Sequence, residues 1–270
     1  MGARGLMCRR HFFIILEVVF IRLDKYLAEM SVGTRNEVKK IIKSGQVTVN
    51  GIVVLKPEMK VNEETDKVCV CGTDIYYKKY VYFMLNKPAG YVSATKDNKY
   101  KTVIELIKEN NKSGIFPVGR LDIDTEGMLI ITNDGALSHK LMSPRKHVDK
   151  KYFLVAEGFV TDNDIKQIEE GIDIGDDKIT LPAKVSDIKH YTNNKGIWTS
   201  MCLTIHEGRY HQVKRMLGAV GNPVTYLKRI SIGNLKLDEN LSPGEYRQLS
   251  EEELKLLFPN VLPKSSCYIL

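Results

Sequence analysis

Between residues 34 and 54 the chain reads as a helix followed by a hairpin, and that succession restricts its fold more than any bulk property does. Thr34 and Glu37 have the spacing of a capping box, so a helix is expected to start there and to end at Gly45. Val38, Ile41 and Ile42 fall on one side of that helix, while Arg35, Lys39 and Lys43 recur every fourth residue on another. The next stretch, Val47-Thr48-Val49-Asn50-Gly51-Ile52-Val53-Val54, is two alternating runs joined by Asn-Gly, a strong two-residue turn signal. Such a unit fits residues 21–72.

Residues 73–79 are polar and rich in Tyr and Lys, as in a short linker, and a larger domain is expected over residues 80–258. It opens with a strand at Tyr80 to Leu85 that runs into Asn86-Lys87-Pro88-Ala89-Gly90, where Pro and Gly force a turn. A helix is expected over Val103 to Glu109, and strands near Phe116 to Val118, Met128 to Thr132, Lys151 to Glu157, Ile179 to Tyr191, Ile197 to Ile205 and Tyr226 to Leu237. Asp134 can cap a helix that ends before Pro144, another helix fits Asp162 to Glu170, and Ser250 with Glu253 caps a last one. From Arg209 to Val220, Val213, Met216, Leu217 and Val220 form an apolar stripe, with His211, Lys214, Arg215 and Gly218 on another arc. Strands and helices mix without regular βαβ alternation, so the fold class is α+β rather than a doubly wound sheet.

The formal charge of +7 favours a polyanionic partner, and its distribution carries more than its sum. From Arg22 to Lys43 there are six basic residues (22, 25, 35, 39, 40 and 43) against three acids (24, 29 and 37). A second cluster comprises Lys140, Arg145, Lys146, Lys150 and Lys151; with Arg209, Lys214, Arg215, Lys228 and Arg229 it could line an RNA cleft. The five cysteines have neither CxxC nor zinc-type spacing, which points to reduced thiols in a reducing compartment. Cys69 and Cys71 are expected on one face of a strand. Near the start, Arg4, Arg9 and Arg10 precede an apolar run, Phe12 to Phe20, that Glu17 interrupts and that is too short to cross a bilayer. Residues 1–20 are read as an extension outside the native domains, with the natural start near Ile21, and residues 259–270 as a tail. No membrane association is expected.

No GxGxxG, Walker-type loop, HExxH or GxSxG occurs, and the six histidines lack ligand spacing. Neither a cofactor nor a metal is expected, so side chains alone would do any chemistry. The best candidate is Gly119-Arg120-Leu121-Asp122-Ile123-Asp124-Thr125, whose two aspartates share a face if the segment is extended. Paired carboxylates at this spacing suit a glycosidase, a magnesium site or a purely structural turn, and spacing alone does not choose among them.

Gly119-Arg120-Leu121-Asp122 with Asp124-Thr125 and Gly127 resembles the signature of the pseudouridine synthases of the RsuA/RluA superfamily. Leu85-Asn86-Lys87-Pro88 with Gly90, Thr132-Asn133-Asp134-Gly135, Lys151-Tyr152 and Glu207-Gly208-Arg209-Tyr210-His211-Gln212-Val213-Lys214-Arg215-Met216 are similar to the family's other blocks, in the same order. Arg22-Leu23-Asp24-Lys25-Tyr26-Leu27, the Arg35 helix and Gly45 to Gly51 resemble the S4 RNA-binding domain. The resemblance implies a small N-terminal S4-like helix-hairpin domain joined to a synthase domain with a mixed, mainly antiparallel sheet flanked by helices. Tyr210-His211-Gln212-Val213-Lys214 is closer to the RsuA-type branch, which acts on small-subunit ribosomal RNA, than to branches acting on the large subunit.

By the same resemblance Asp122 is the catalytic carboxylate, attacking either C6 of the uracil or C1′ of the ribose. Lys214 is the basic residue that pairs with it, Tyr152 the aromatic that stacks on the target base, and Arg120 a residue that holds the flipped nucleotide. Arg22, Lys25, Arg35, Lys39, Lys43, Arg209, His211 and Arg215 are expected to contact RNA. The implied protein is a cytoplasmic monomer acting on ribosomal RNA or an assembly intermediate. The alternatives are the same chemistry on large-subunit RNA, or a non-catalytic RNA-binding factor in ribosome assembly.

Overall fold

The computed structural model describes residues 20–77, 80–109, 114–142 and 147–257, and the chain divides into two compact units between Tyr77 and Lys78. The expected extension before Phe20, the expected tail 259–270, the end of the linker at Lys78 and Lys79, and Arg145 and Lys146 of the basic cluster lie outside the described residues.

The first unit follows its local signals closely. The Thr34 hydroxyl accepts the Glu37 N–H at 3.3 Å and the Glu37 carboxylate accepts the Thr34 N–H at 2.8 Å, so the capping box starts helix α2 (Arg35–Lys43). Its buried Val38 and Ile42 belong to one core with Leu23, Tyr26 and Leu27 of α1 (Leu23–Glu29). The helix runs out at Ser44, and Gly45 follows at φ +78°. Asn50 and Gly51, both at positive φ, join β2 (Val47–Val49) to β3 (Ile52–Val53) as a primed turn requires. With β5 (Val68–Val70) and β6 (Thr73–Ile75) these make a sheet in the order β3-β2-β5-β6, so residues 73–75, expected as linker, are a strand of the first unit, while β1 (Phe20–Arg22) pairs with β4 (Lys60–Asn62). Cys71 does not share a strand face with Cys69: β5 stops at Val70, and Cys71 turns at φ +49° into the next hairpin, where it is exposed.

The second unit is built on a nine-stranded sheet in the order β11-β12-β10-β13-β9-β7-β15. In chain order its strands are β7 (Tyr82–Lys87), β8 (Phe116–Pro117), β9 (Glu126–Thr132), β10 (Lys150–Glu157), β11 (Lys184–Asn193), β12 (Gly196–Ile205), β13 (Val224–Ile232), β14 (Leu235–Lys236) and β15 (Tyr246–Gln248). The short β14 attaches to β13 and β8 to β9. Every strand pairing is antiparallel except β13 with β9, so the sheet is mixed and mainly antiparallel, as expected. Period-two alternation sorts the core into two layers. Phe83, Leu85, Leu129, Ile131, Leu154, Leu203 and Leu227 pack with Ile168 of α4 (Asp162–Glu170) and with Val213, Met216 and Leu217 of α5 (Gln212–Ala219). Met84, Met128, Ile130 and Ile232 pack with Leu141 of α3 (Gly135–Met142) and with Leu254 and Leu257 of α6 (Glu251–Leu257). Asp134 and the Ser250–Glu253 pair cap α3 and α6 as expected.

Three expected elements are shorter than their patterns. The helix over Val103 to Glu109 is a single 3-10 turn, Val103–Leu106, because Ile107 takes an extended backbone. The strand expected from Ile179 begins only at Lys184: Arg209 takes the carbonyls of Lys178 and Ile179, and Pro182 has no N–H for a ladder. Helix α5 starts at Gln212 rather than Arg209, since His211 is left-handed at φ 49°, ψ 32°.

Candidate functional site

The Asp122 segment is a turn bolted to the sheet rather than a strand. The Thr125 N–H donates to the Asp122 carbonyl at 3.1 Å, closing it. Ser93 grips Leu121 from both sides: its hydroxyl donates to the Leu121 carbonyl at 2.9 Å and accepts the Leu121 N–H at 3.0 Å. The Ile123 carbonyl accepts from the Gly90 N–H at 2.7 Å. Beneath the turn, the fully buried Lys87 ammonium donates to the carbonyls of Pro88, Ile123 and Thr125 at 3.1, 3.2 and 2.8 Å. An ammonium has three protons, and here each has an acceptor. Leu121 is buried in the same core as Tyr152, so the turn lies on that layer.

Gly127 explains how the turn leads straight into the sheet. It stands at φ +100°, and a Cβ there would meet the Arg229 carbonyl oxygen at 2.2 Å. Only glycine lets β9 approach β13 in the one parallel pairing, Glu126 with Lys228 and Gly127 with Arg229. The row continues across the sheet, Lys87 beside Gly127, Gly127 beside Arg229, and Arg229 beside Tyr152.

Helix α5 brings its polar arc to the two aspartates. The Lys214 ammonium donates to Asp124 at 2.5 Å and stands 3.8 Å from Asp122, and His211 Nε2 lies 3.6 Å from Asp122 on the other carboxylate oxygen. Lys214, expected beside Asp122, thus bridges both carboxylates and sits nearer the more exposed one. Partial burial pushes the Asp124 carboxyl up, but the Lys214 hydrogen bond and charge outweigh this and hold it below the usual carboxylate range. Burial pushes the Lys87 amine down to about 8, while the charges of Asp124, Asp122 and Glu126 pull it up. Asp122 keeps about a quarter of its side chain open to solvent.

The remaining expected residues divide sharply. Arg120 is exposed one residue from the turn, and Tyr152 is buried at 8% in the main core on β10. Arg209 and Arg215 are engaged internally: Arg209 bonds Glu207, Asp176 and the carbonyls of Lys178 and Ile179, and Arg215 bonds Asp176 and the carbonyls of Ile174 and Tyr210. They hold the loop 171–183 against α5. Lys150 and Arg229, counted with the basic cluster, are buried and cannot present charge to RNA; the short alternation of a strand end hid this. In the first unit Arg22 forks onto Asp24 and Lys25 stands 3.7 Å from Glu29, whereas Arg35, Lys39 and Lys43 are exposed. Sequence reasoning placed Lys87 in a family block without giving it a role and missed Ser93; a lone lysine ending an apolar strand was the available signal for the first.

Among the described residues no group of His, Cys, Asp and Glu side chains could hold a metal ion, and no helix is long and apolar enough to cross a membrane. The site brings together a carboxylate pair on a rigid turn, a bridging lysine on α5 and the histidine just before that helix, an arrangement able to act as nucleophile or to stabilise developing positive charge.

The family pattern described as RNA pseudouridylate synthase matches residues 81–219, and that of the S4 domain matches residues 21–67. The chain is 47% identical to an uncharacterized RNA pseudouridine synthase, YtzG, of Bacillus subtilis over 88% of its own length and 98% of that protein's. It is 41% identical to ribosomal small subunit pseudouridine synthase A of Escherichia coli K12, over 87% of this chain and 98% of the other. A crystal structure of a pseudouridylate synthase aligns with a TM-score of 0.60 at 36% identity, covering 88% of this chain and 99% of that one. With matches that span both units and nearly the whole length of each relative, this chain belongs to the RNA pseudouridine synthases of the RsuA type, an S4 domain preceding the synthase domain.

Proposed function

We propose that this enzyme converts a uridine of small-subunit ribosomal RNA to pseudouridine, with Asp122 as the carboxylate that meets the nucleotide. The observation that carries the reading is the position of Asp122: partly open to solvent, on a turn tied down at three carbonyls (Leu121, Ile123 and Thr125) and at the Leu121 N–H, 3.6 Å from His211 and 3.8 Å from Lys214. A uridine in a helix hides its glycosidic bond, so it must leave its stack to reach such a group. Asp122 then adds to C6 of the uracil or to C1′ of the ribose. The N1–C1′ bond breaks, the uracil turns, C5 bonds to C1′, and the C5 proton is lost while N1 gains one. The carboxylate is released unchanged. Substrate and product are isomers, so the reaction consumes nothing.

Lys214 supports this by balancing the charge of two adjacent carboxylates, and the exposed Arg120 is proposed to hold the extruded nucleotide. Tyr152 is proposed to pack against the target base. Its ring belongs to the core on which the Asp122 turn rests, so it would form the floor of the base site. The name of the Escherichia coli relative favours small-subunit RNA as substrate.

The test uses separate transcripts of small- and large-subunit ribosomal RNA, incubated with wild-type protein and with Asp122→Asn, and maps pseudouridine chemically. Modification of one small-subunit uridine by the wild type and background with Asp122→Asn is the expected result. Modification confined to the large-subunit transcript would move the substrate, and equal background from both proteins would leave an RNA-binding factor. In the same assay Lys214→Met is expected to lower kcat by about a hundredfold or more, the usual consequence of removing a preorganised charged donor from a site.

A further inference from the structure

Tyr210 sits at the rim of this site with its side chain turned outward. It is 75% exposed, and among the described residues no other large hydrophobic or aromatic side chain is as open. An exposed ring is ordinary by itself, but this one is fixed in place. It stacks on the His211 ring with centroids 3.8 Å apart and planes 17° apart. Its carbonyl accepts from Arg215 at 3.1 Å. The turn it occupies is closed by Gln212, whose N–H donates to the Arg209 carbonyl and whose side-chain oxygen accepts the Arg209 N–H. His211 holds its ring where it is through a left-handed backbone, a conformation that is unfavourable for a residue with a Cβ and that clusters at functional sites. The far edge of the pair reaches Asp122, 3.6 Å from His211 Nε2.

We propose that Tyr210 is a base-stacking residue: one ring face rests on His211, and the open face takes the nucleobase adjoining the uridine that Asp122 attacks. This rests on the catalytic reading of Asp122 given above. Extruding one uridine deprives its neighbour of a stacking partner, and a rigid aromatic face supplies one without regard to sequence. The groups around the ring favour RNA over a protein segment. The exposed Arg120 supplies positive charge for a phosphate, and the nearby acids Asp122, Asp124 and Asp176 are each held by a lysine or arginine.

The experiment compares Tyr210→Ala, Tyr210→Phe and Tyr210→Trp with the wild type, using transcripts of both ribosomal RNAs labelled with tritium at C5 of uridine, and reads KM and kcat from tritium release. Loss of one stacked base is expected to raise KM about tenfold in Tyr210→Ala. Phe and Trp are expected to restore it, because the ring and not the hydroxyl is used. The penalty should be the same at low and at physiological salt, since stacking displaces no counterions, unlike a phosphate contact. An unchanged KM in Tyr210→Ala would overturn the proposal. So would a Phe variant as poor as Ala, or a penalty that fades with salt; each would assign the ring to a hydroxyl contact, to a charge effect or to another partner. Wild-type activity that survives Asp122→Asn would instead refute the catalytic reading, while the Tyr210 series would still report on RNA binding.

Discussion

Lys87 shows how one side chain can shape a site without facing it. Its ammonium is fully buried, yet its three acceptors are all main-chain carbonyls, two of them within the turn that carries Asp122. Burying a cation without a directly bonded carboxylate is costly, and carbonyl dipoles offset the loss only if every proton is matched. With its pKa at about 8 the amine remains mainly charged at neutral pH. Lys87→Met would leave the Thr125 carbonyl without this donor, whereas Ile123 would keep its bond from Gly90. The expected outcome is a loss of roughly 1–3 kcal/mol in urea unfolding, the cost of orphaned buried polar groups. A fall in kcat larger than any change in KM should accompany it, because the displaced group is Asp122 and not an RNA contact. A variant with unaltered kcat would show that the turn keeps its shape without the pedestal.

At the scale of elements, α5 and the loop 171–183 act as one piece. Asp176 joins them: the Arg215 hydrogen bond, with Arg209 adding to it, holds the Asp176 carboxyl below the usual carboxylate range against a smaller effect of burial. A carboxyl depressed on folding stabilises fully above its unfolded value of about 3.9, and that contribution disappears as pH falls through the lower folded value. Asp176→Asn is therefore expected to be less stable than wild type at neutral pH. The gap should close as pH is lowered through the carboxylate range, measured by urea unfolding at several pH values; a gap independent of pH would assign the effect to packing. This joint also marks the limit of what the sequence discloses. The capping boxes, the Asn-Gly hairpin and the placing of Lys214 on the polar arc of α5 depend on neighbours within a few residues, and they were legible. The late start of β11 depends on Arg209 reaching back 30 residues, and the role of Lys87 on carbonyls 36 and 38 residues away. Side chains that bond distant main chain leave no periodicity to read. Likewise Tyr152 could be placed on a strand by alternation, but its burial beside Leu121 is a product of the folded sheet.

Over the whole molecule, the formal charge of +7 is the sum of groups with very different availability. Arg22, Arg209 and Arg215 are matched by internal carboxylates, and Lys150 and Arg229 are buried. The face of α2 is different: Arg35, Lys39 and Lys43 are exposed, and among the described residues none forms an ion pair. Its one acid, Glu37, is occupied by the Thr34 cap. Phosphate contacts from free cations release counterions, so the logarithm of affinity falls with the logarithm of salt by about 0.7 per contact on single strands and about 0.9 on duplex DNA. If the three residues each meet a phosphate, changing all of them to Gln should reduce the salt slope of RNA binding by about two units. Arg22→Gln should barely move the slope, because its guanidinium already lies on Asp24. The measurement is filter binding of ribosomal RNA across a series of potassium chloride concentrations, with tritium release under saturating RNA as the control. The triple variant should keep the wild-type kcat, since its altered side chains belong to the first unit and Asp122 to the second. An unchanged slope would mean that the α2 face does not touch the backbone and that RNA affinity resides in the synthase domain.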